Sequence, residues 1–350
     1  MVFINDLLAD NQAANQRAER PADSGKGHYP SRFRFDLEAG CRYVQEHLVG
    51  QDAVSQSLCE ALAVVKADIA DPARPLWSAL LAGPTGVGKT SSVKLMSEVL
   101  TGSADAYCRI DMNTLSQSHY AAALSGAPPG YVGSKEGVSL FDEAAIKGDF
   151  STPGIVLFDE VEKASDEVIL ALLNVLEEGK LTLTGSGKTL DFRNTLIFFT
   201  TNLGSREAAM NASFLRRLTG RGAKSSVRAA VESFFAPEFF NRLDAVLEFR
   251  PLSVTSAEKI LQIELQHLNQ RLSKKSLRLT LTVSACDQLL VRGFNRRYGA
   301  RAVRRIVRET IEAPLAQFLF SSSFTPSAGS AVTDVQGDWS GGRLRFFVTP

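Results

Sequence analysis

The sequence predicts an α/β protein: a five-stranded parallel sheet flanked by helices, followed by a smaller α/β C-terminal domain. Three observations carry this prediction. Short, almost wholly apolar runs recur at helix-sized intervals, the signature of strands covered on both faces. A glycine-rich loop stands between one such run and a helical segment. After Pro251 the texture changes to longer amphipathic helices and alternating strands. A length of 350 residues accommodates one large and one small domain.

In chain order, residues 1–40 are polar and read as a tail or linker with a short helix at its start. Regular structure is expected from about Leu37. Residues 41–250 form the large domain and 251–350 the small one. The expected strands of the large domain are Ser78–Ala82, Tyr107–Asp111, Ile155–Phe158, Leu196–Thr200 and Val246–Phe249. Thr90–Leu100 reads as a helix, and Val168–Leu176 as a buried helix ended by Gly179. In the small domain, Ala257–Leu272 carries an amphipathic helical pattern. Arg278–Val283 and Arg343–Val348 read as strands. Ala302–Leu319 reads as helix, with Pro314 a kink or break. Pro326–Gly337 reads as a loop holding at most a short strand. No internal repeat is present.

Composition excludes several function classes. The hydrophobic fraction is 44%, ordinary for a globular chain. The formal net charge is +1, from 39 basic and 38 acidic residues, which gives no global pull toward nucleic acid or membranes. The arginine-rich stretch Arg292–Arg308 fits a solvated helix face or a subunit contact better than a nucleic-acid surface. Cys41, Cys59, Cys108 and Cys286 are scattered, with no C-x-x-C pair and no disulfide framework, which suits a reducing compartment. The N-terminus lacks the basic start and apolar run of a secretory signal. No run approaches the ~18 apolar residues of a membrane span. The expectation is a soluble, cytoplasmic protein.

The chemistry concentrates in Gly83-Pro84-Thr85-Gly86-Val87-Gly88-Lys89-Thr90. This fits G-x-x-x-x-G-K-[ST], the loop whose backbone N–H groups cradle nucleotide phosphates. Its glycines reach conformations closed to residues with a Cβ. Lys89 supplies a cation to the β/γ-phosphates, and the Thr90 hydroxyl suits Mg²⁺. The following helix directs its N-terminus at the anion. The buried run Trp77–Ala82 before it completes the order that the motif needs. Gly185-Ser186-Gly187-Lys188-Thr189 imitates the motif's end, but Thr182 takes the first glycine's place and no buried strand precedes it. It reads as a hairpin or loop tip. Ile155-Val156-Leu157-Phe158-Asp159-Glu160 is an apolar strand ending in two acids. In a phosphate-loop enzyme Asp159 holds Mg²⁺, and Glu160 polarises the attacking water. The alternative is a solvated acidic pair at a strand end. Asn202, after the apolar run Leu196–Thr201, is placed to orient that water or to serve as turn chemistry.

Together these residues resemble the AAA+ ATPases, specifically the second ATPase domain of the Clp unfoldases and disaggregases. Further matches in family order are Gly126-Ala127-Pro128-Pro129-Gly130-Tyr131-Val132-Gly133, Asp191–Thr195, Pro237–Asp244 and Tyr298-Gly299-Ala300-Arg301. The resemblance spans about Leu48 to Leu319. It implies ATP and Mg²⁺ as cofactors and a ring of identical subunits, usually a hexamer, with the ATP site between neighbours. It implies Asn202 as the sensor beside the γ-phosphate and Arg242 as a finger reaching into the neighbour's site. It implies Arg301 as the second sensor, and Val49-Gly50-Gln51 as the segment near adenine. Tyr131 and Val132 would grip an unfolded polypeptide in the central pore. The plainer alternatives are a surface ion pair of Arg242 with Asp244 or Glu238, and a Tyr131 that packs its own loop.

Departures from the family pattern also matter. One ATPase domain is read here where ClpA and ClpB carry two, and residues 1–40 are short for their substrate domain. The coiled-coil insertion of the disaggregases is missing. No Ile-Gly-Leu or Ile-Gly-Phe peptidase-docking tripeptide occurs between Asn202 and Arg242; Asn211–Gly222 lies there instead. Thr184 stands where relatives often have Asp. The leading expectation is an ATP-driven protein remodeller serving a dedicated client. The alternatives are a nucleic-acid motor or loader, or a nucleotide-switched scaffold.

Overall fold

A computed structural model describes residues 30–115, 141–183, 187–204, 226–295, 299–321, 324 and 332–349. The expected pore-loop residues Tyr131 and Val132, Thr184, and the stretch 211–222 lie outside the described residues, as do residues 1–29.

The central sheet is parallel throughout. Its strands are β1 (Trp77–Ala82), β2 (Cys108–Asp111), β3 (Gly154–Asp159), β6 (Thr195–Thr201) and β7 (Ala245–Glu248), in the order β2-β3-β6-β1-β7. All five expected strands are present within two residues of their predicted ends. β4 (Lys180–Leu183) and β5 (Lys188–Asp191) pair as an antiparallel hairpin, so the imitation motif does flank a hairpin tip.

The period of two explains the apolar runs. On one face, Leu80 and Ala82, Val156 and Phe158, and Ile197 and Phe199 join one core. On the other, Ala79 and Leu81, Ile155 and Leu157, and Leu196 and Phe198 join a second core. Every residue of β1, β3 and β6 is buried, which explains why these strands read as continuous hydrophobic stretches. Phe158 stacks on Phe199 at 5.2 Å, and Phe199 meets Phe239 edge-on at 5.4 Å.

The C-terminal region builds its own core from helices Val254–Ser273, Val283–Gly293 and Gly299–Leu319 and a three-stranded sheet. That sheet comprises β8 (Leu277–Leu281), β9 (Thr333–Ser340) and β10 (Arg343–Val348), with β9 central, parallel to β8 and antiparallel to β10.

Four expectations need correction. The segment Val168–Leu176 is helical within Asp166–Glu178, but it is one-sided rather than buried: Val168, Leu172, Val175 and Leu176 face the core while Leu170 is 60% exposed. The strand expected at Arg278–Val283 stops at Leu281. Thr282 accepts from the Ala285 N–H at 3.2 Å and starts a helix that the sequence reading missed. Pro314 does not break its helix. A π-helical turn over Val307–Glu312 precedes it, and this wider turn relieves the hydrogen-bond demand that proline cannot meet. The loop expected at Pro326–Gly337 overlaps a strand of eight residues. Pairing on both sides overrides the weak strand propensity of Asp334, Gly337 and Asp338. Gly337 lies under neighbouring side chains: a Cβ there would meet Leu281 at 2.6 Å.

Candidate functional site

The C-terminal ends of β1, β3 and β6 converge on one crevice, the position where open parallel sheets bind ligands. β1 runs into the glycine loop. Gly83, Gly86 and Gly88 have φ of +147°, +75° and +114°, so the loop uses the left-handed freedom that its glycines supply. A Cβ on Gly83 would lie 2.6 Å from the Phe249 carbonyl oxygen. Pro84, Thr85 and Val87 complete the turn, and Val87 packs into the core. The helix Lys89–Thr101 starts at Lys89 without a side-chain cap, leaving its first N–H groups to an anion. Thr90 lies in this first turn.

Lys89 is buried, and its ammonium is already engaged. It donates to the Gly83 carbonyl at 2.6 Å, the Pro84 carbonyl at 2.7 Å and the Asn202 amide oxygen at 3.0 Å. Burial pushes its pKa down from 10.5 to about 8; the acids Glu162, Asp159 and Glu160 oppose that shift, and Arg301 adds to it. Between those two values the unfolded chain holds the proton and the folded chain does not. Stability therefore rises with pH across that window. A polyphosphate in the loop would restore the ordinary value. At pH 8, binding of a non-hydrolysable ATP analogue to the wild-type protein is expected to take up about half a proton per site, and at pH 6.5 almost none through Lys89. Calorimetric titration in two buffers of different ionisation heat reads this. Equal apparent heats at pH 8 would refute it.

Asp159 closes β3 and is 9% exposed. Its Oδ2 accepts from Arg109 at 2.5 Å, and its Oδ1 accepts from the Thr200 hydroxyl at 2.5 Å. Glu160 follows in the left-handed region at φ +59°, a conformation unusual outside glycine and one that turns its carboxylate toward β6. Asn202 donates to its Oε1 at 3.2 Å, and Asn113 to its Oε2 at 2.9 Å. The Asn202 N–H is held by Glu162 at 3.0 Å. One amide thus bridges the cation Lys89 and the carboxylate Glu160. Thr90 and Asp159 offer the hard oxygen donors that suit Mg²⁺, which takes few protein ligands beside phosphate oxygens. In keeping with that, no group of three or more His, Cys, Asp or Glu among the described residues is arranged to hold a metal by itself.

The segment Val49-Gly50-Gln51, expected near adenine, is fixed mainly by Gln51. Its buried amide donates to the carbonyls of Val87 at 3.3 Å and Arg250 at 2.8 Å, and accepts from the Arg250 N–H at 3.0 Å. Val49 is half-buried beside it. At Gly50, φ is +75° and a Cβ would lie 2.4 Å from the Ser256 hydroxyl. The C-terminal region also touches the phosphate loop. The Ala300 N–H donates to the Gly86 carbonyl at 2.8 Å, and a Cβ on Gly299, at φ +52°, would lie 2.4 Å from the same oxygen. Arg301 stands exposed in that helix's first turn. Gly299→Val is expected to cost roughly 1–3 kcal/mol from backbone strain alone and to weaken ATP binding. Denaturant midpoint and ATP titration read both; unchanged values would refute the contact's importance.

Arg242 is elsewhere. It ends the helix Pro237–Arg242 just before β7, at the N-terminal end of the strand beside β1, whereas the glycine loop follows the C-terminal end of β1. It pairs with Glu177 at 2.6 Å, not with Asp244 or Glu238. Asp244 instead accepts from the Ser78 N–H and hydroxyl, both at 2.8 Å. Arg74 donates to the carbonyls of Leu176 and Arg242, tying both ends of this pair to one strand entrance.

Among the described residues no helix is long and apolar enough to cross a membrane. Residues 74–246 match the family described as "AAA domain (Cdc48 subfamily)", and residues 252–333 match "C-terminal, D2-small domain, of ClpB protein". A Pseudomonas aeruginosa protein named "ATP-dependent protease ATP-binding subunit-like protein AmiB" is 46% identical over 359 residues, covering 95% of this chain and 96% of that protein. An "ATP-dependent protease ATP-binding subunit-like protein" of Rhodococcus erythropolis is 41% identical, covering 90% and 91%. "Chaperone protein ClpB" of Pseudomonas putida is 41% identical over 298 residues, which are 84% of this chain but 33% of that protein.

Proposed function

The chain belongs to the Clp/ClpB type of AAA+ ATPase, and from that premise we propose that it works as a homo-hexameric ring that pulls on a client polypeptide. Its reaction is ATP hydrolysis. The observation that carries the fuller reading is the division of the site. Lys89, Asp159, Glu160 and Asn202 gather at the C-terminal ends of β1, β3 and β6, and Arg242 stands at the opposite, N-terminal end of the neighbouring strands β1 and β7.

In this reading Gly83–Thr90 bind the phosphates, Val49–Gln51 flank the adenine, and Thr90 and Asp159 hold Mg²⁺. The ion, when bound, offsets charge on the phosphate oxygens. Glu160 takes the proton of the attacking water at a carboxylate oxygen. Asn202 orients that carboxylate and ties it to Lys89. A neighbour's Arg242 offsets charge that develops on the transferred group. Arg301 follows the nucleotide through the contact of its helix with Gly86. Residues 41–250 would be the ATPase unit and 251–350 its lid.

Tyr131 and Val132 are assigned to the polypeptide grip, because an aromatic flanked by Gly130 and Gly133 offers apolar contact with little sequence preference. Tyr131→Ala is expected to leave basal ATP turnover near normal and abolish substrate unfolding. Unfolding at the wild-type rate would remove Tyr131 from that role.

The test of the whole reading is ATP hydrolysis with and without a permanently unfolded protein, with Glu160→Gln as the blank. Stimulation by the unfolded chain is expected. Stimulation by DNA alone would favour a nucleic-acid motor, and no turnover above the blank would favour a scaffold.

A further inference from the structure

Two of the four cysteines, on consecutive helices, meet in the fold. Cys41 lies on the helix Leu37–His47 and Cys59 on the helix Asp52–Ala67, the two elements joined by residues 48–51. The Cys41 thiol donates to the Cys59 carbonyl at 4.0 Å, and the Cys59 thiol to the Cys41 carbonyl at 3.8 Å. This reciprocity places the residues face to face, 18 positions apart in the chain. Cys59 is buried and Cys41 half-buried, so one sulfur is reachable and the other waits behind it. Gln45 contributes a third polar contact, its amide N–H donating to the Cys59 sulfur at 3.9 Å.

We propose that Cys41 and Cys59 form a redox-convertible dithiol, closed to an intramolecular disulfide by small-molecule disulfides and reopened by thiols. The Cys41 thiolate attacks one sulfur of the oxidant RS–SR; that S–S bond breaks and RS⁻ leaves with a proton as RSH. The Cys59 thiolate then attacks the Cys41 sulfur, the mixed disulfide breaks, and a second RSH departs. Two protein thiols are oxidised and one disulfide is reduced to two thiols. Burial, then the neighbouring Cys41 and Glu60, push the Cys59 pKa up to about 12, with Gln45 opposing. The second step is therefore the slow one.

The link has a structural consequence. It would staple the helices on both sides of residues 48–51, the connector through which Gln51 holds Val87 and Arg250 and Gly50 meets Ser256. The pair thus couples thiol chemistry to the stiffness of this connector. Nothing in this depends on how ATP is used.

The full-length protein is incubated with oxidised glutathione, alkylated, and digested without reduction. A Cys41–Cys59 linked peptide is expected, with loss of two hydrogens from the intact mass. Cys59→Ser is expected to stop at a glutathione adduct on Cys41, and Cys41→Ser to take neither adduct nor link at this pair. Deuterium exchange of amides 48–51 is expected to slow in the oxidised wild type and to stay unchanged in treated Cys59→Ser. Separate adducts on both cysteines, a link to Cys108 or Cys286, no reaction, or unchanged exchange after linking would each overturn the proposal.

Discussion

Arg242→Ala is expected to lower ATP turnover about 10³-fold or more while leaving ATP affinity within a few-fold of wild type. The geometry separates these two effects. β1 leads from Ser78, which contacts Asp244, to Ala82, which leads into the glycine loop. The four steps from Ser78 to Ala82 span roughly 13 Å, about twice the reach of an arginine side chain, before the loop itself is added. The Arg242 guanidinium therefore cannot reach the phosphates held by its own subunit, so its loss should spare binding. Its pair with Glu177 is partly exposed and contributes little to stability, so the variant should fold. Mixing sharpens the test. A Lys89→Ala subunit lacks its own phosphate cation but keeps Arg242. Combined with Arg242→Ala subunits, it should restore part of the turnover that neither has alone. Normal turnover by Arg242→Ala, or no recovery on mixing, would remove the trans-acting role.

Glu160→Gln should lower turnover by about 10²–10⁴-fold with ATP still bound. The replacement keeps shape and volume and removes the group that accepts a proton. Its neighbours tolerate the change, because a glutamine still accepts from Asn113 or Asn202 through its one carbonyl oxygen. Single-turnover measurement with prebound ATP separates this from a binding defect. Fast product formation in that experiment would show that Glu160 is not the base. Far-ultraviolet dichroism and the denaturant midpoint should match wild type. The left-handed backbone at residue 160 already exists in the native chain and is not made worse by the amide.

The readable part of this site is the part written locally. Asp159, Glu160 and Asn202 end or directly follow a buried strand, and Lys89 follows one through the glycine loop, so an apolar run announces each of them. The residues that hold them carry no such marker. Arg109 finds Asp159 across 50 positions, Asn113 finds Glu160 across 47, and Gln51 finds Arg250 across 199. Only the strand order β2-β3-β6-β1-β7 brings these partners together. The fold shows the same division. Five strands of mostly apolar content were legible, three of them buried throughout. β9 was not, because its place is set by two flanking strands rather than by its own residues. Arg242 was legible as a motif member, but its partner Glu177 lies on another helix and no local pattern selects it.

The engagement of Lys89 bears on the speed of nucleotide exchange. Two loop carbonyls and the Asn202 amide hold its ammonium, and the loop glycines take left-handed conformations. The cradle is thus moulded during folding, and little chain entropy remains to be lost when ATP arrives. Capture becomes a swap of partners around one cation. Its association rate should follow diffusion of a polyanion into an open cleft, with strong sensitivity to salt and weak sensitivity to temperature.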